Sequence, residues 1–561
     1  MWRQRFDTRS RTARFAVYIF RIIITSTHKI FGTGVIVLKF VGRERELETL
    51  EREDLAERNS FVVVHGRRRV GKTRLILEHI GRRKGSSVYV QVPRGRPAQV
   101  LYRFMAEEIS RQIGTRVELE SAEGLTGLLK TLMETTAGTK LCFVLDEVPR
   151  LMEADPSFAS VLQAFWDVHA DAKPDPRLLL ILCGSARSVM RRAFFDTGEP
   201  LYGRKTMSIH VRPLDLEDLC DAFGLTWFRG VALYAIVGGI PGYWTWLDPT
   251  PLRDTEVPFK EACLAVLEQA LRPDSPFLDE PLFILREETS APDTLLGLVR
   301  AIGRRRASMF AAIQKHTGMP PHQLAPYLKN LIELGMVRRE KQPFRDKKSF
   351  YVLDDPVLCF CFRCVEPFAP QVLLGGFLNE SVRNRLWSTY LEHLESFWET
   401  WWTGILYTVF PGREAGRQIV KTHTSICELD FAVYTPDGKK LLALFEATFS
   451  VFGQRKLRQI KTALDRIAAA GVDTSDVEIV ALAPKIDLSS PPERFHWFDF
   501  PIRDTMERLL EFADRLSRSF DRETARTHVY HAREAILNRI DAEANANSRR
   551  RHSDRKNSLQ P

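Results

Sequence analysis

The chain has 561 residues, 44% hydrophobic and 27% charged, with a formal net charge of +10. That length implies roughly three or four domains, and the apolar share is enough for sizeable cores rather than a wholly disordered chain. The charge does not mark a basic body: residues 1–39 carry +7 and residues 545–561 carry +4, which leaves −1 for 40–544, so any nucleic-acid interface must come from local patches.

Residues 15–25 are apolar but broken by Arg21. The stretch is too short to span a bilayer, which takes about 20 apolar residues, and it lacks the small-residue cleavage site of a secretory leader. An arginine-rich, acid-poor transit segment is one reading. The preferred one is upstream sequence translated from a misassigned start, because the domain signal opens only at Phe40. The expectation is a cytoplasmic protein with no membrane partner.

Phe61, Val62, Val63 and Val64 predict a short buried strand, and residues 74–80 an amphipathic helix. Between them Gly66, Arg67, Arg68, Arg69, Val70, Gly71, Lys72 and Thr73 fit G-x4-G-K-[ST]. Strand, glycine-rich turn and helix N-terminus are the geometry of a phosphate-binding loop: the glycines let backbone N–H groups turn inward, and the helix end adds a positive dipole. Lys72 is expected on the β- and γ-phosphates of ATP and the Thr73 hydroxyl on Mg²⁺.

Residues 141–145 form an unbroken apolar run ending in Asp146 and Glu147. A run of that kind suits a central strand of a parallel sheet covered on both faces, with its carboxylates emerging beside the phosphate loop. Asp146 is expected to hold Mg²⁺ through water, and Glu147 to orient or deprotonate the attacking water. A third buried strand, 178–183, ends in Gly184 and Ser185, where a hydroxyl could sense the γ-phosphate.

Residues 290–355 predict helices over 293–302, 308–317 and 321–334, then strands over 336–340 and 349–353 around a basic loop. Three helices and a hairpin make a winged helix-turn-helix. Arg304, Arg305, Arg306, Lys329, Arg338, Arg339, Lys341, Arg345, Lys347 and Lys348 concentrate here, so phosphate contact by the wing is one reading and a protein-binding module the other. Pro326 is expected to interrupt the recognition helix near its start. Of the eight cysteines, Cys142 and Cys183 fall in central strands as small buried hydrophobes of a reducing compartment. Cys359, Cys361 and Cys364 invite zinc, but no fourth ligand is spaced nearby. Glu428 to Tyr434, a turn at residues 436–438 and Leu441 to Glu446 predict a β-hairpin that brings Asp430 and Glu446 together, where two carboxylates could share Mg²⁺. Trp387, Trp398, Trp401 and Trp402 predict core packing. Residues 505–544 predict helix, with a polar basic tail from 545.

Phe40-Val-Gly-Arg-Glu44, the phosphate loop, Leu145-Asp-Glu147, Cys183-Gly-Ser185, Leu201-Tyr-Gly-Arg204 and Gly238-Gly-Ile-Pro241 follow one another in order. The series resembles the archaeal-type ATPases of the AAA-like, signal-transducing NTPase group. The resemblance implies an α/β P-loop NTPase core with a parallel sheet at 40–215, a helical lid at 216–285, the winged helix at 290–370 and a restriction-endonuclease-like α/β domain at 380–500, followed by a helical segment at 501–544. It implies that Gly42 and Arg43 lie near the adenine. It further implies that Arg204 reads the γ-phosphate, in cis or across a boundary between two copies, and that residues 238–241 are a lid turn near the nucleotide. The terminal domain resembles the PD-(D/E)xK nuclease fold, whose pattern wants a lysine where Thr448 stands. Glu395 or Glu399 is the candidate upstream acid. Without that lysine, the expectation is an ATP-hydrolysing switch whose terminal domains bind DNA or a protein and do not cleave DNA. The alternative is an ATP-dependent DNA-processing enzyme with a live nuclease domain, and a lysine reaching the pair from elsewhere would revive it.

Overall fold

The computed structural model describes residues 40–517, apart from 118–123, 136–139, 170–176, 186, 290, 305–307, 374–378, 411, 413, 422–425 and 501–502. The basic N-terminal extension, Arg305, Arg306 and the segment beyond 517 lie outside the described residues. The chain divides into two units, one of residues up to 218 with 239–246, the other of 219–238 with 247 onward.

In the first unit, β1 (Ser60–Gly66), β2 (Ser87–Gln91), β3 (Leu141–Asp146), β4 (Leu178–Gly184) and β5 (Met207–Val211) form one sheet in the order β2-β3-β4-β1-β5. Every pairing is parallel. The unbroken apolar runs follow from burial on both faces. Phe61, Val63, Phe143, Leu145, Leu180 and Leu182 enter one core, and the alternate residues Val62, Val64, Cys142, Val144, Leu179, Ile181 and Cys183 enter the other. Each such aliphatic side chain contributes about 1.5–3 kcal/mol on burial. Because β4 lies between β3 and β1, Gly66, Asp146 and Gly184 all end at one edge of the sheet.

The second unit carries the helices Pro292–Gly303, Phe310–Thr317 and Pro321–Glu333, with β6 (Ser308–Met309), β7 (Val337–Gln342) and β8 (Arg345–Leu353) in an antiparallel sheet ordered β6-β8-β7. Three expectations need correction here. Ser308 and Met309 open the segment as a strand, because they pair with Tyr351 and Phe350. The turn between β7 and β8 is only Pro343 and Phe344, so Arg345, Lys347 and Lys348 lie on a strand rather than in a loop. Pro326 does not shorten its helix, which runs 13 residues straight through it. Leu324, Leu328 and Leu331 are buried on one face of that helix, and this packing outweighs the one backbone hydrogen bond that proline removes.

The 30-residue helix Glu380–Val409 packs on a five-stranded sheet of β9 (Ala415–Lys421), β10 (Ile426–Tyr434), β11 (Leu441–Ala447), β13 (Glu478–Leu482) and β15 (Phe495–Phe498). A small pair, β12 (Val451–Gly453) with β14 (Lys485–Asp487), stands apart. The β9-β10-β11 ladder is antiparallel, and β13 and β15 add in parallel. The helix Gln454–Ala469 makes the connection from β11 towards β13 and buries Leu457, Ile460, Ala463 and Ile467. Trp398 and Trp402 are fully buried, and the Trp398 indole donates to Leu482 O at 2.8 Å, so these two rings are core. The helix Arg503–Ser517 closes the described chain.

One buried ion network ties the β6-β8-β7 unit to this sheet. Arg417 on β9 is 1% exposed and bonds Glu340 of β7 at 2.8 Å and Glu399 of the long helix at 2.5 Å. Arg338 bonds Glu340 from the other side and donates to Thr400 O at 3.0 Å. Burial alone would push the Glu340 carboxyl up, but the two guanidiniums beside it hold it below the usual glutamate range. Removing one partner of such a network leaves an uncompensated buried charge. Arg417→Met is therefore expected to lower unfolding stability by about 3–5 kcal/mol, measured by chemical denaturation. Adding Glu340→Gln and Glu399→Gln should return part of the loss, and a loss near zero in the single variant would contradict the account.

Candidate functional site

The helix Lys72–Arg82 starts directly from the turn that follows β1, so the loop N–H groups and the helix N-terminus face the same edge. Gly66 and Gly71 adopt φ of 154° and 99°, and a Cβ on Gly66 would lie 2.4 Å from Val211 O, so the turn is closed to side chains there. Lys72 is 6% exposed, and its ammonium is held inside the curl by Gly66 O at 3.0 Å and Arg67 O at 2.9 Å. Thr73 Oγ1 donates to Asp146 Oδ2 at 2.6 Å. The same carboxylate accepts from Tyr89 OH at 2.8 Å and, through Oδ1, from Glu147 N at 2.9 Å. Glu147 sits at φ 58°, an uncommon conformation for a non-glycine residue, and accepts from Ser185 Oγ at 3.1 Å. Lys72, Thr73, Asp146, Glu147 and Ser185 thus stand together at the carboxyl edge. Tyr89 was not legible in the sequence, since nothing marks a tyrosine in an apolar strand as a carboxylate partner.

This donor set fits a magnesium nucleotide. Loop N–H groups and one ammonium suit phosphate oxygens, and a hydroxyl beside a carboxylate suits a hard cation that keeps most of its water.

Arg43, with φ 74°, donates to Val70 O at 3.1 Å and pairs with Glu46 at 3.3 Å. The turn at Gly42 therefore lies against the phosphate loop. A Cβ on Gly42 would meet Asp218 Oδ1 and Leu214 Cδ2 at 2.8 Å. Burial, and Asp215 nearby, push the Asp218 carboxyl up to about 7. Residues 239–246 join this first unit rather than the helices around them. Gly242 N donates to Arg69 O at 3.1 Å, and the Arg69 guanidinium lies over Trp246 at 4.7 Å and Tyr243 at 5.6 Å. The sequence showed a turn there but not the two rings that clasp the loop.

Arg204 is placed elsewhere. Thr206 N donates to Phe61 O at 2.8 Å, at the start of β1, about 16 Å by strand rise from the loop that follows Gly66. Its guanidinium grips Asp167 at 2.7 and 2.9 Å. The cis role for Arg204 is therefore corrected: it stands at the opposite edge of the sheet from the phosphates of its own chain.

Residues 40–244 match the family described as an ATPase domain predominantly from Archaea. It is similar to an uncharacterized protein of Methanocaldococcus jannaschii, 28% identical over 348 residues that cover 61% of this chain and 73% of that one. A second relative, an uncharacterized ATP-binding protein of the same organism, is 42% identical over 48 residues, covering 9% of this chain and 81% of that one. Among solved structures, a Walker-type ATPase of Pyrococcus abyssi aligns with a TM-score of 0.44 at 21% identity, covering 58% of this chain and 96% of that one. The ORC2 protein of Aeropyrum pernix aligns at 0.38 and 14% identity, covering 66% and 98%.

A second cluster lies in the terminal sheet. Phe431 pairs with Phe445 across β10 and β11, so Asp430 and Glu446 are the next cross-strand pair, and both are buried. Burial first, and Glu446 beside it, push the Asp430 carboxyl up; burial does the same to Glu446. No lysine stands at the position that the pattern wants, but one reaches the pair from elsewhere in the chain: Lys456 Nζ lies 2.5 Å from Glu446 Oε1. Thr448 instead turns to Glu395, which also caps the N–H groups of Phe449 and Ser450 at 2.8 and 2.9 Å. Cys359 and Cys361 donate to Leu353 O and Phe277 O, both at 3.3 Å, and with Cys364 they are buried in a continuous helical segment. No metal-holding cluster of three or more His, Cys, Asp or Glu forms among the described residues.

The clasp on Arg69 gives a test. A Cβ at Gly242 would lie 2.5 Å from Arg69 Cβ and 3.1 Å from Arg69 O. Gly242→Ala should displace the phosphate loop and weaken ATP binding about tenfold, the equivalent of about 1.4 kcal/mol. Calorimetric titration checks this, and unchanged affinity would show that the turn does not set the loop's position.

Proposed function

We propose that this archaeal-type ATPase binds Mg-ATP at the phosphate loop, hydrolyses it slowly and works as a nucleotide-dependent switch. The observation that carries the reading is the 2.6 Å contact between Thr73 and Asp146, with Glu147 next along the chain and bonded to Ser185. Lys72 would leave the loop carbonyls and neutralise the β- and γ-phosphates. Thr73 and Asp146 would hold Mg²⁺, which supplies charge neutralisation at the transferring phosphate. Glu147 would accept the proton of the attacking water, and Ser185, bonded to that carboxylate, would couple its position to the state of the γ-phosphate. Any arginine contribution from Arg204 would come from a second copy of the chain, after release from Asp167.

Lys72→Ala should abolish ATP binding. Glu147→Gln should retain binding and lose turnover, since it removes the base and keeps the magnesium ligands. Phosphate release and nucleotide titration on the two variants check this, and wild-type turnover in Glu147→Gln would remove Glu147 from the mechanism.

The three helices with β6, β7 and β8 have the connectivity of a winged helix, which we propose as the partner-binding module, for a protein or for DNA. Two of the wing's basic side chains are engaged within the chain: Arg338 in the buried network and Arg339 on Ser349 Oγ at 2.8 Å. Arg304 pairs with Glu366 at 3.0 Å. These contacts favour a protein partner. For any duplex-DNA binding, Arg339→Gln should leave the slope of log K against log salt unchanged. A slope flatter by about one unit would show that Arg339 reaches a phosphate and would favour DNA.

A further inference from the structure

Tyr89 is held in place from both sides. β2 is an edge strand of the first sheet, and on its outer side the Gln112 amide stands in for a missing strand. Gln112 Oε1 accepts from Tyr89 N at 2.9 Å, and Gln112 Nε2 donates to Tyr89 O at 2.7 Å. On the inner side β2 runs along β3, with Tyr89 opposite Val144. The ring is buried in the core that also holds Cys142, Val144 and Cys183. Asp146 stands two residues beyond Val144, opposite Gln91, and two residues along a strand return to the same face. From this position on β2, only a long side chain with a terminal donor reaches the Asp146 carboxylate.

Asp146 Oδ2 accepts from Thr73 Oγ1 at 2.6 Å and from Tyr89 OH at 2.8 Å. A carboxylate oxygen carries two lone pairs, so these two donors occupy it fully. Acceptor capacity remains on Oδ1, which takes Glu147 N at 2.9 Å. Thr73 can present its oxygen lone pairs to a cation while its proton stays on Oδ2. A cation beside Thr73 therefore meets an Asp146 oxygen that is already closed, and engages this carboxylate through a bound water. Magnesium suits such a site, because it dehydrates reluctantly and keeps several waters. Calcium takes more oxygens in looser geometry and binds carboxylates directly.

On the Mg-ATP reading above, on which this inference rests, we propose that Tyr89 is a positioning residue that makes the nucleotide site selective for magnesium, by closing Asp146 Oδ2 to direct coordination. Tyr89→Phe removes one hydroxyl, keeps the ring's packing and opens a lone pair on Oδ2 beside Thr73. Calcium or manganese then gains a direct carboxylate ligand, whereas magnesium, which holds its waters, gains less.

The test measures binding of a non-hydrolysable ATP analogue to the full chain by calorimetry in Mg²⁺, in Ca²⁺ and in a chelator, for wild type and Tyr89→Phe. Wild type should bind more tightly in Mg²⁺ than in Ca²⁺. Tyr89→Phe should raise the Ca²⁺-supported affinity relative to the Mg²⁺-supported one by about tenfold, the scale on which a ligand's outer partners tune metal binding. Affinity in the chelator should stay at the wild-type value, which also shows that the variant is folded and its phosphate loop intact. With Mn²⁺ as the cation, water-proton relaxation should count one water fewer on the bound ion in Tyr89→Phe than in wild type. Wild-type binding no tighter in Mg²⁺ than in Ca²⁺, a fall of equal size in all three conditions, or an unchanged water count would each overturn the proposal and leave Tyr89 a structural partner of Asp146, with the Mg-ATP reading intact. Wild-type binding that no cation strengthens would overturn both.

Discussion

The contact between the Thr73 hydroxyl and the Asp146 carboxylate joins the turn after β1 to the end of β3, with β4 between the two strands. It can form only because parallel strands end together at one edge, and they do so because each is buried on both faces in matched register. Phe143 and Leu145 in one core and Cys142 and Val144 in the other hold β3 at the height where Asp146 meets Thr73. Tyr89, from the neighbouring β2, fixes the same carboxylate. The carboxylate is positioned before any ligand arrives, which is how an electrostatic site avoids reorganising during reaction.

Most of this edge was legible. Gly66 to Thr73 and Leu145 to Glu147 announce themselves because their chemistry depends on residues close in sequence, and local spacing is what a sequence displays. Arg204 was misplaced because a short motif names a residue without saying at which end of the sheet it stands. Only the pairing of Thr206 with Phe61 fixes that. The clasp of Trp246 and Tyr243 on Arg69 spans more than 170 positions of chain, and no local pattern encodes it.

Lys456 makes the same point in the terminal domain. In the sequence it lies ten positions past Glu446 and matches no spacing, whereas a β-strand, a short β12 and the first turn of a helix bring its ammonium onto that carboxylate. Thr448, the position that the pattern singles out, faces Glu395 instead. Pro326 failed as a signal for a related reason: its local cost is real, but three buried leucines on one face of the helix outweigh it. Arg338 looked like a wing residue free for phosphate, and the fold turned it towards Glu340 and Thr400.

The central claim, that Thr73 and Asp146 act as one magnesium site of a nucleotide pocket, is tested most directly by a double-mutant cycle on nucleotide binding. ATP affinity would be measured for wild type, Thr73→Val, Asp146→Asn and the double variant, with Mg²⁺ and again with a chelator. The account predicts losses in Mg²⁺ that are strongly non-additive and that largely vanish in the chelator, where Lys72 and the loop N–H groups alone hold the phosphates. Additive losses of the same size in both conditions would contradict it, and would reduce the contact to a structural hydrogen bond.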